Sequence, residues 1–114
     1  MTNREFAAAC DLRILVEGDL DRGITGGYCG DLLSWVMGRA KEGDAWFTVM
    51  GNVNAIAVAT LADTACIVLV EDSPLDDAAK LRAQQQDVTI LQSGKTAYEL
   101  AAMLHGLLNK DEII

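Results

Sequence analysis

Two short runs constrain the fold most: residues 45–50 (AWFTVM) and 65–70 (ACIVLV), each almost continuously apolar. A strand with one solvated face alternates in polarity. An unbroken run of this length belongs to a strand covered on both faces, as in parallel sheets sandwiched by helices. The connector at 52–63 has the length of a crossover helix, and parallel neighbours require such a crossover. With 51% hydrophobic but only 5% aromatic residues, aliphatic side chains and alanine must do the packing.

The remaining segments fit an alternating pattern. Thr2 and Glu5 have the spacing of a capping box opening a helix to about Cys10. Residues 12–16 read as a first strand, and 20–25 as irregular chain or a short edge strand. Gly26 and Gly27 read as a turn. A helix is predicted over 31–40, with Leu32, Leu33, Val36, Met37 and Ala40 as its buried stripe. A polar helix follows at 76–86, a strand at 88–91 and a last helix from Thr96, where a second capping box pairs Thr96 with Glu99. The stripe of that helix is Ala97, Leu100, Ala101, Leu104, Leu107 and Leu108. The expected architecture is one α/β domain over residues 1–114, with a mainly parallel four- to five-stranded sheet flanked by helices.

Charge and cysteine usage narrow the function. Seventeen acidic residues against nine basic ones give a net charge of −8, and the nine cations are scattered. Nucleic acid and anionic membranes require a basic patch and are excluded as partners. The three cysteines form no C-x-x-C pair, and the start of the chain has no apolar stretch of the export type. Reduced thiols and a cytoplasmic location are expected.

Ligands of open parallel sheets sit beyond the carboxyl ends of the strands. The loops assigned to that end are 17–19, 51–54, 71–73 and 92–95. Gly51, Asn52, Asn54 and Lys95 are the candidate binding residues there, with Lys95 the one cation facing Glu17, Asp19, Glu71 and Asp72. That balance disfavours a polyphosphate without Mg²⁺. Ser93-Gly94-Lys95-Thr96 imitates the end of a phosphate-binding loop, but the glycine needed five residues earlier is Thr89. Thr96 has the simpler role of a helix cap.

Catalytic sets are absent. His105, the one histidine, borders an apolar stripe, and three separated cysteines with one histidine match no zinc spacing. No catalytic residue, metal or cofactor is assigned. Cys29, placed near the start of the second helix, is expected to have a thiol acidified by the helix dipole. It and Lys95 are the nucleophiles of an alternative reading, a small-molecule transferase.

The connector helix is apolar all round, which calls for cover on both sides. Trp35 lies off the main stripe of its own helix. Trp35, Ile56, Val58 and Ala59 are therefore the candidate interface of a homodimer. An adaptor presenting this surface to a larger partner enzyme is the competing view.

The segment Leu20-Asp21-Arg22-Gly23-Ile24-Thr25-Gly26-Gly27-Tyr28, followed by Asp31-Leu32-Leu33-Ser34-Trp35-Val36-Met37, resembles the DRTGG-domain family. The similarity runs on through residues 41–44 and 54–59, although Gly23 and Ile24 split the five-residue motif. The resemblance implies an α/β domain like the N-terminal domain of bacterial HPr kinase/phosphorylase, found also as small bacterial proteins. It implies a regulatory or ligand-sensing role, with a nucleotide-like metabolite as ligand. Thr25, Gly26 and Gly27 then join the candidate binding residues, as a tight turn whose amides either serve an anion or only shape the chain.

Overall fold

The central strands form as their apolar runs demand. In the computed structural model, which describes residues 1–110, β3 (Asp44–Thr48) and β4 (Cys66–Leu69) are buried along their whole lengths. The other elements in chain order are α1 (Asn3–Ala9), β1 (Arg13–Val16), β2 (Gly26–Cys29), α2 (Leu33–Arg39), α3 (Val53–Ala62), α4 (Asp77–Gln85), β5 (Ile90–Gln92) and α5 (Ala97–Leu108). One five-stranded sheet has the order β1-β5-β4-β3-β2. Every neighbouring pair is parallel except β1 with β5, which is antiparallel.

The helices split between the two faces. Phe6 and Ala7 of α1, Cys10 at its C-terminal cap, and Leu100 and Leu104 of α5 pack with Ala45, Phe47, Cys66, Val68 and Leu91. On the opposite face, Val36 of α2, Ala55, Ile56, Val58 and Ala59 of α3, and Ala79 and Ala83 of α4 surround Trp46, Ile67, Leu69 and Ile90. Alternating sheet residues feed alternate cores, as the period of two requires. Both capping boxes form: Thr2 with Glu5 at α1, and Thr96 with Glu99 at α5.

Three expectations are corrected. Gly26 and Gly27 are strand, not turn: β2 pairs Gly26 with Asp44 and Gly27 with Ala45. Neither glycine has positive φ, which among the described glycines belongs to Gly18 and Gly43. The second helix begins at Leu33 rather than 31, because the Asp31 carboxylate accepts from Thr48 Oγ1 (2.7 Å) and the Val49 amide (3.0 Å) instead of capping it. Of its expected stripe only Val36 is fully covered, while Leu32 and Met37 face outward.

The third correction concerns direction. Because β1 runs antiparallel, residues 17–19 lie at the amino end of the parallel strands, where the Thr89 hydroxyl donates to the Glu17 carbonyl at 2.7 Å. In exchange Arg13 arrives at the carboxyl end and forms an ion pair with Asp72 and a 2.9 Å hydrogen bond to Gln92. Lys95 is thus not the one cation there. Among the described residues no helix is long and apolar enough to cross a membrane.

Candidate functional site

β2 is an edge strand, and α5 crosses the face beside it. Between them runs a groove of about 890 Å³, whose lining includes Thr25, Gly26, Gly27 and Cys29 from β2 and its approach. From α5 come Tyr98, Ala101, Ala102, His105, Leu108 and Asn109, with Phe47 and Leu104 as floor. That volume lies in the ~300–1,000 Å³ range of small-molecule sites. Alternation along β2 turns Gly27 and Cys29 toward α5. A Cβ at Gly27 would stand 3.3 Å from Phe47 Cε2 and 3.6 Å from Leu104 Cδ2, so glycine keeps the groove deep at that point.

The α5 wall follows from helical spacing. Tyr98, Ala101, Ala102, His105 and Asn109 recur at three- and four-residue intervals and share one face. Tyr98 is 84% exposed, a large ring held at the rim. The Asn109 side-chain amide donates to the His105 carbonyl at 2.9 Å and lies 3.4 Å from its Nδ1. Apart from the imidazole, the groove wall carries no ionisable group but the Cys29 thiol and the Tyr98 phenol.

Cys29 is not activated. It ends a strand rather than starting a helix, so no helix dipole acts on it. Desolvation first, and the Asp31 charge second, raise its pKa above the usual thiol value. Burial likewise raises Cys10, and pushes Cys66 up to about 12. The transferase reading loses its thiolate.

The sequence-derived candidates separate. Thr25, Gly26 and Gly27 line the groove, whereas Gly51, Asn52, Asn54 and Lys95 do not. Asn52 caps α3, its side chain accepting from the Ala55 amide at 3.0 Å. Gly51 lies where any Cβ would collide with the Pro74 carbonyl. At the loop-like stretch 93–96, a Cβ on Gly94 would meet Asp72 Oδ2 at 2.9 Å, so a carboxylate occupies the position a phosphate would need. Ile56, Val58 and Ala59 are buried in the protomer's own core and present no surface to a partner. Trp35 is outward-facing, with the Arg39 guanidinium 3.6 Å above its ring.

Sequence reasoning missed Tyr98 and Asn109, and read His105 only as the border of an apolar stripe. Their signal was available: two ring side chains seven residues apart on one helix face, with only alanines between them.

These features define an open-edged α/β domain with a ligand-sized, weakly charged groove and, among the described residues, no group of three or more acidic, cysteine or histidine side chains fit to hold a metal. The fold is shared with a solved structure of the CBS and DRTGG domains of the regulatory region of Clostridium perfringens pyrophosphatase, complexed with the activator diadenosine tetraphosphate. The two superpose with a TM-score of 0.70 at 8% sequence identity, over 90% of this chain and 45% of that one. The chain thus spans less than half the length of that structure. No family model and no curated protein matches the sequence.

Proposed function

We propose that this chain is a non-catalytic regulatory module of DRTGG type, similar to the HPr kinase/phosphorylase N-terminal domain, that senses a nucleotide-like metabolite in the β2–α5 groove. The observation carrying it is a groove of ligand size built around the Thr25-Gly26-Gly27 segment, beside a cysteine whose thiol is held protonated. Binding without turnover fits that lining better than group transfer does. The likeness to a regulatory region bound to a nucleotide activator supports the same reading.

A thermal-shift screen of nucleotides and metabolites tests it, run on the native chain and on Gly27→Val. A ligand at about 100 times its Kd adds about 2.7 kcal/mol, a rise of roughly 10 °C or more for a domain of this size. The valine side chain fills the groove and should abolish the rise. Failure of every compound to shift the native chain defeats the sensing role.

The module is proposed to work as a homodimer through the outward residues of α2 and α3, centred on Trp35 and on Leu61, which is 73% exposed. The mass in solution of a Trp35→Ala, Leu61→Asp variant tests this surface, with a monomer expected. An unchanged mass removes it. Docking of the same surface onto a partner enzyme is the competing arrangement.

A further inference from the structure

A second, smaller depression of about 410 Å³ lies on the other side of β2, lined by Thr25, Gly26, Gly27, Tyr28, Arg39, Lys41, Glu42 and Asp44. Thr25, Gly26 and Gly27 line both hollows. Among the described residues no strand lies outside β2 in the sheet, so the two meet over a free edge. Successive strand residues point to opposite faces. Gly27 faces α5, and Gly26 faces the second hollow, where a Cβ would meet Asp44 Oδ1 at 2.8 Å. Two adjacent glycines therefore thin the strand on both faces at one place, and a single ligand can lie across it.

The two sides offer different chemistry. On the α5 side, Tyr98 and His105 stand seven residues apart, about 10 Å along the axis, with the methyl groups of Ala101 and Ala102 between. A planar heteroaromatic ring has apolar floor there and a ring at either end to stack on. On the α2 side, Arg39 and Lys41 can pair with one phosphate, and Glu42 can accept from sugar hydroxyls. The Asp44 carboxylate is already engaged, accepting from the Lys41 backbone amide at 2.8 Å. Two cations set beside two carboxylates suit a single phosphate and oppose a chain of them.

We infer that the ligand is a nucleoside monophosphate lying over the β2 edge, its base between Tyr98 and His105 and its phosphate at Arg39 and Lys41. This rests on the groove reading above and specifies the ligand for it. Arg39 also supplies a reporter: its guanidinium rests on Trp35, so a phosphate that draws it away changes the emission of Trp35.

The test is calorimetric titration of AMP, GMP, CMP and UMP, each beside its nucleoside and triphosphate, with tryptophan emission followed in parallel. At least one monophosphate should bind about tenfold tighter than its nucleoside and no more weakly than its triphosphate. Trp35→Phe should remove the emission change. Arg39→Gln should cancel the tenfold advantage while leaving nucleoside affinity unchanged, and Tyr98→Ala should weaken both about fivefold or more. Equal affinity of monophosphate and nucleoside, or indifference to Arg39→Gln or to Tyr98→Ala, overturns the inference. Binding of none of the four also overturns it. If another metabolite still stabilises the native chain and not Gly27→Val, the groove reading survives that loss.

Discussion

The side-chain amide of Asn3 donates to the carbonyl oxygen of Ala65 at 2.8 Å, tying the first turn of α1 to the residue that enters β4. The same nitrogen donates to the Asp19 carbonyl at 3.0 Å. Asn3 is fully buried, so one side chain joins three segments far apart in sequence at the rim of the α1–α5 core.

Replacing it tests that join. Asn3→Ala leaves the buried Ala65 carbonyl without this donor, while the Asp19 carbonyl keeps the Arg22 amide at 3.2 Å, and should cost about 1–3 kcal/mol in urea unfolding. Asn3→Asp should cost more at neutral pH, because a carboxylate would face carbonyl oxygens in a buried site. Its folded form would hold a proton more tightly than the unfolded chain, so this contribution to stability should fall as pH rises from the ordinary aspartate value of about 4 up through the raised folded value. A deficit relative to the native chain no larger at pH 7 than at pH 3 contradicts this account.

The extent to which such features were legible depends on whether their signal is local. β3 and β4 could be read because each is one apolar run, and α1 and α5 because each carries its capping box in four consecutive residues. β2 could not: Gly26-Gly27 has the composition of a turn, and its strand character comes from pairing with residues 18 positions later. The reversal of β1 leaves no local trace, since direction is decided by its partner β5 at the far end of the chain. Thr25, Gly26 and Gly27 were found as candidates, but as a turn facing an anion rather than the wall of a groove. Its other wall lies along the margin of the α5 apolar stripe, where Tyr98, Ala102 and His105 flank Ala101 and Leu108, and only the packing of α5 over β2 brings the two together. Asn3 hid inside a capping box whose Thr2 and Glu5 explained the local pattern without it.

Neighbouring glycines should respond differently to alanine. At Gly26 the new methyl group would press on Asp44 Oδ1 at 2.8 Å, and that buried carboxylate is bonded to the Lys41 amide. Gly26→Ala should cost about 1 kcal/mol or more. At Gly27 the nearest atom is Phe47 Cε2 at 3.3 Å, and the Ala45 carbonyl oxygen and Leu104 Cδ2 stand at 3.5 and 3.6 Å, in ordinary contact, so Gly27→Ala should stay within about 0.5 kcal/mol. Denaturant midpoints at constant slope would show the contrast. Equal losses would mean that the two faces of β2 are not differently occupied.

The acid limb of stability should depend on the two capping boxes. Glu99 accepts from the Thr96 amide at 3.1 Å, and Thr96 Oγ1 accepts from the Glu99 amide at 3.2 Å. Hydrogen bonds from the Thr96 backbone, and then its side chain, lower the Glu99 pKa, as those of Thr2 lower that of Glu5. A lowered folded pKa contributes stability above the ordinary glutamate value of about 4.3, and that contribution is lost as pH falls through the folded value. Thr96→Ala should cost about 1 kcal/mol at neutral pH. The Glu5→Gln, Glu99→Gln pair, which removes both titrating groups, should flatten the decline in melting temperature below the ordinary glutamate range. A decline as steep as the native one would show that other carboxylates govern it.

Thiol labelling separates Cys29 from the two core cysteines. Only the thiolate reacts with iodoacetamide, and desolvation together with the Asp31 charge keeps Cys29 protonated at neutral pH. Its labelling should be slower at pH 7 than that of a free thiol and should climb about tenfold per pH unit to beyond pH 9. Asp31→Asn removes the nearby negative charge and should raise the neutral-pH rate, the opposite of what a loss of local order around an activated thiol would give. Cys10 and Cys66 are buried and should stay unlabelled until the chain unfolds. Because Cys29 lines the groove, any ligand seated there should protect it without changing the protection of the other two. Rapid labelling of Cys29 at pH 7 would instead restore the nucleophile that the transferase reading requires.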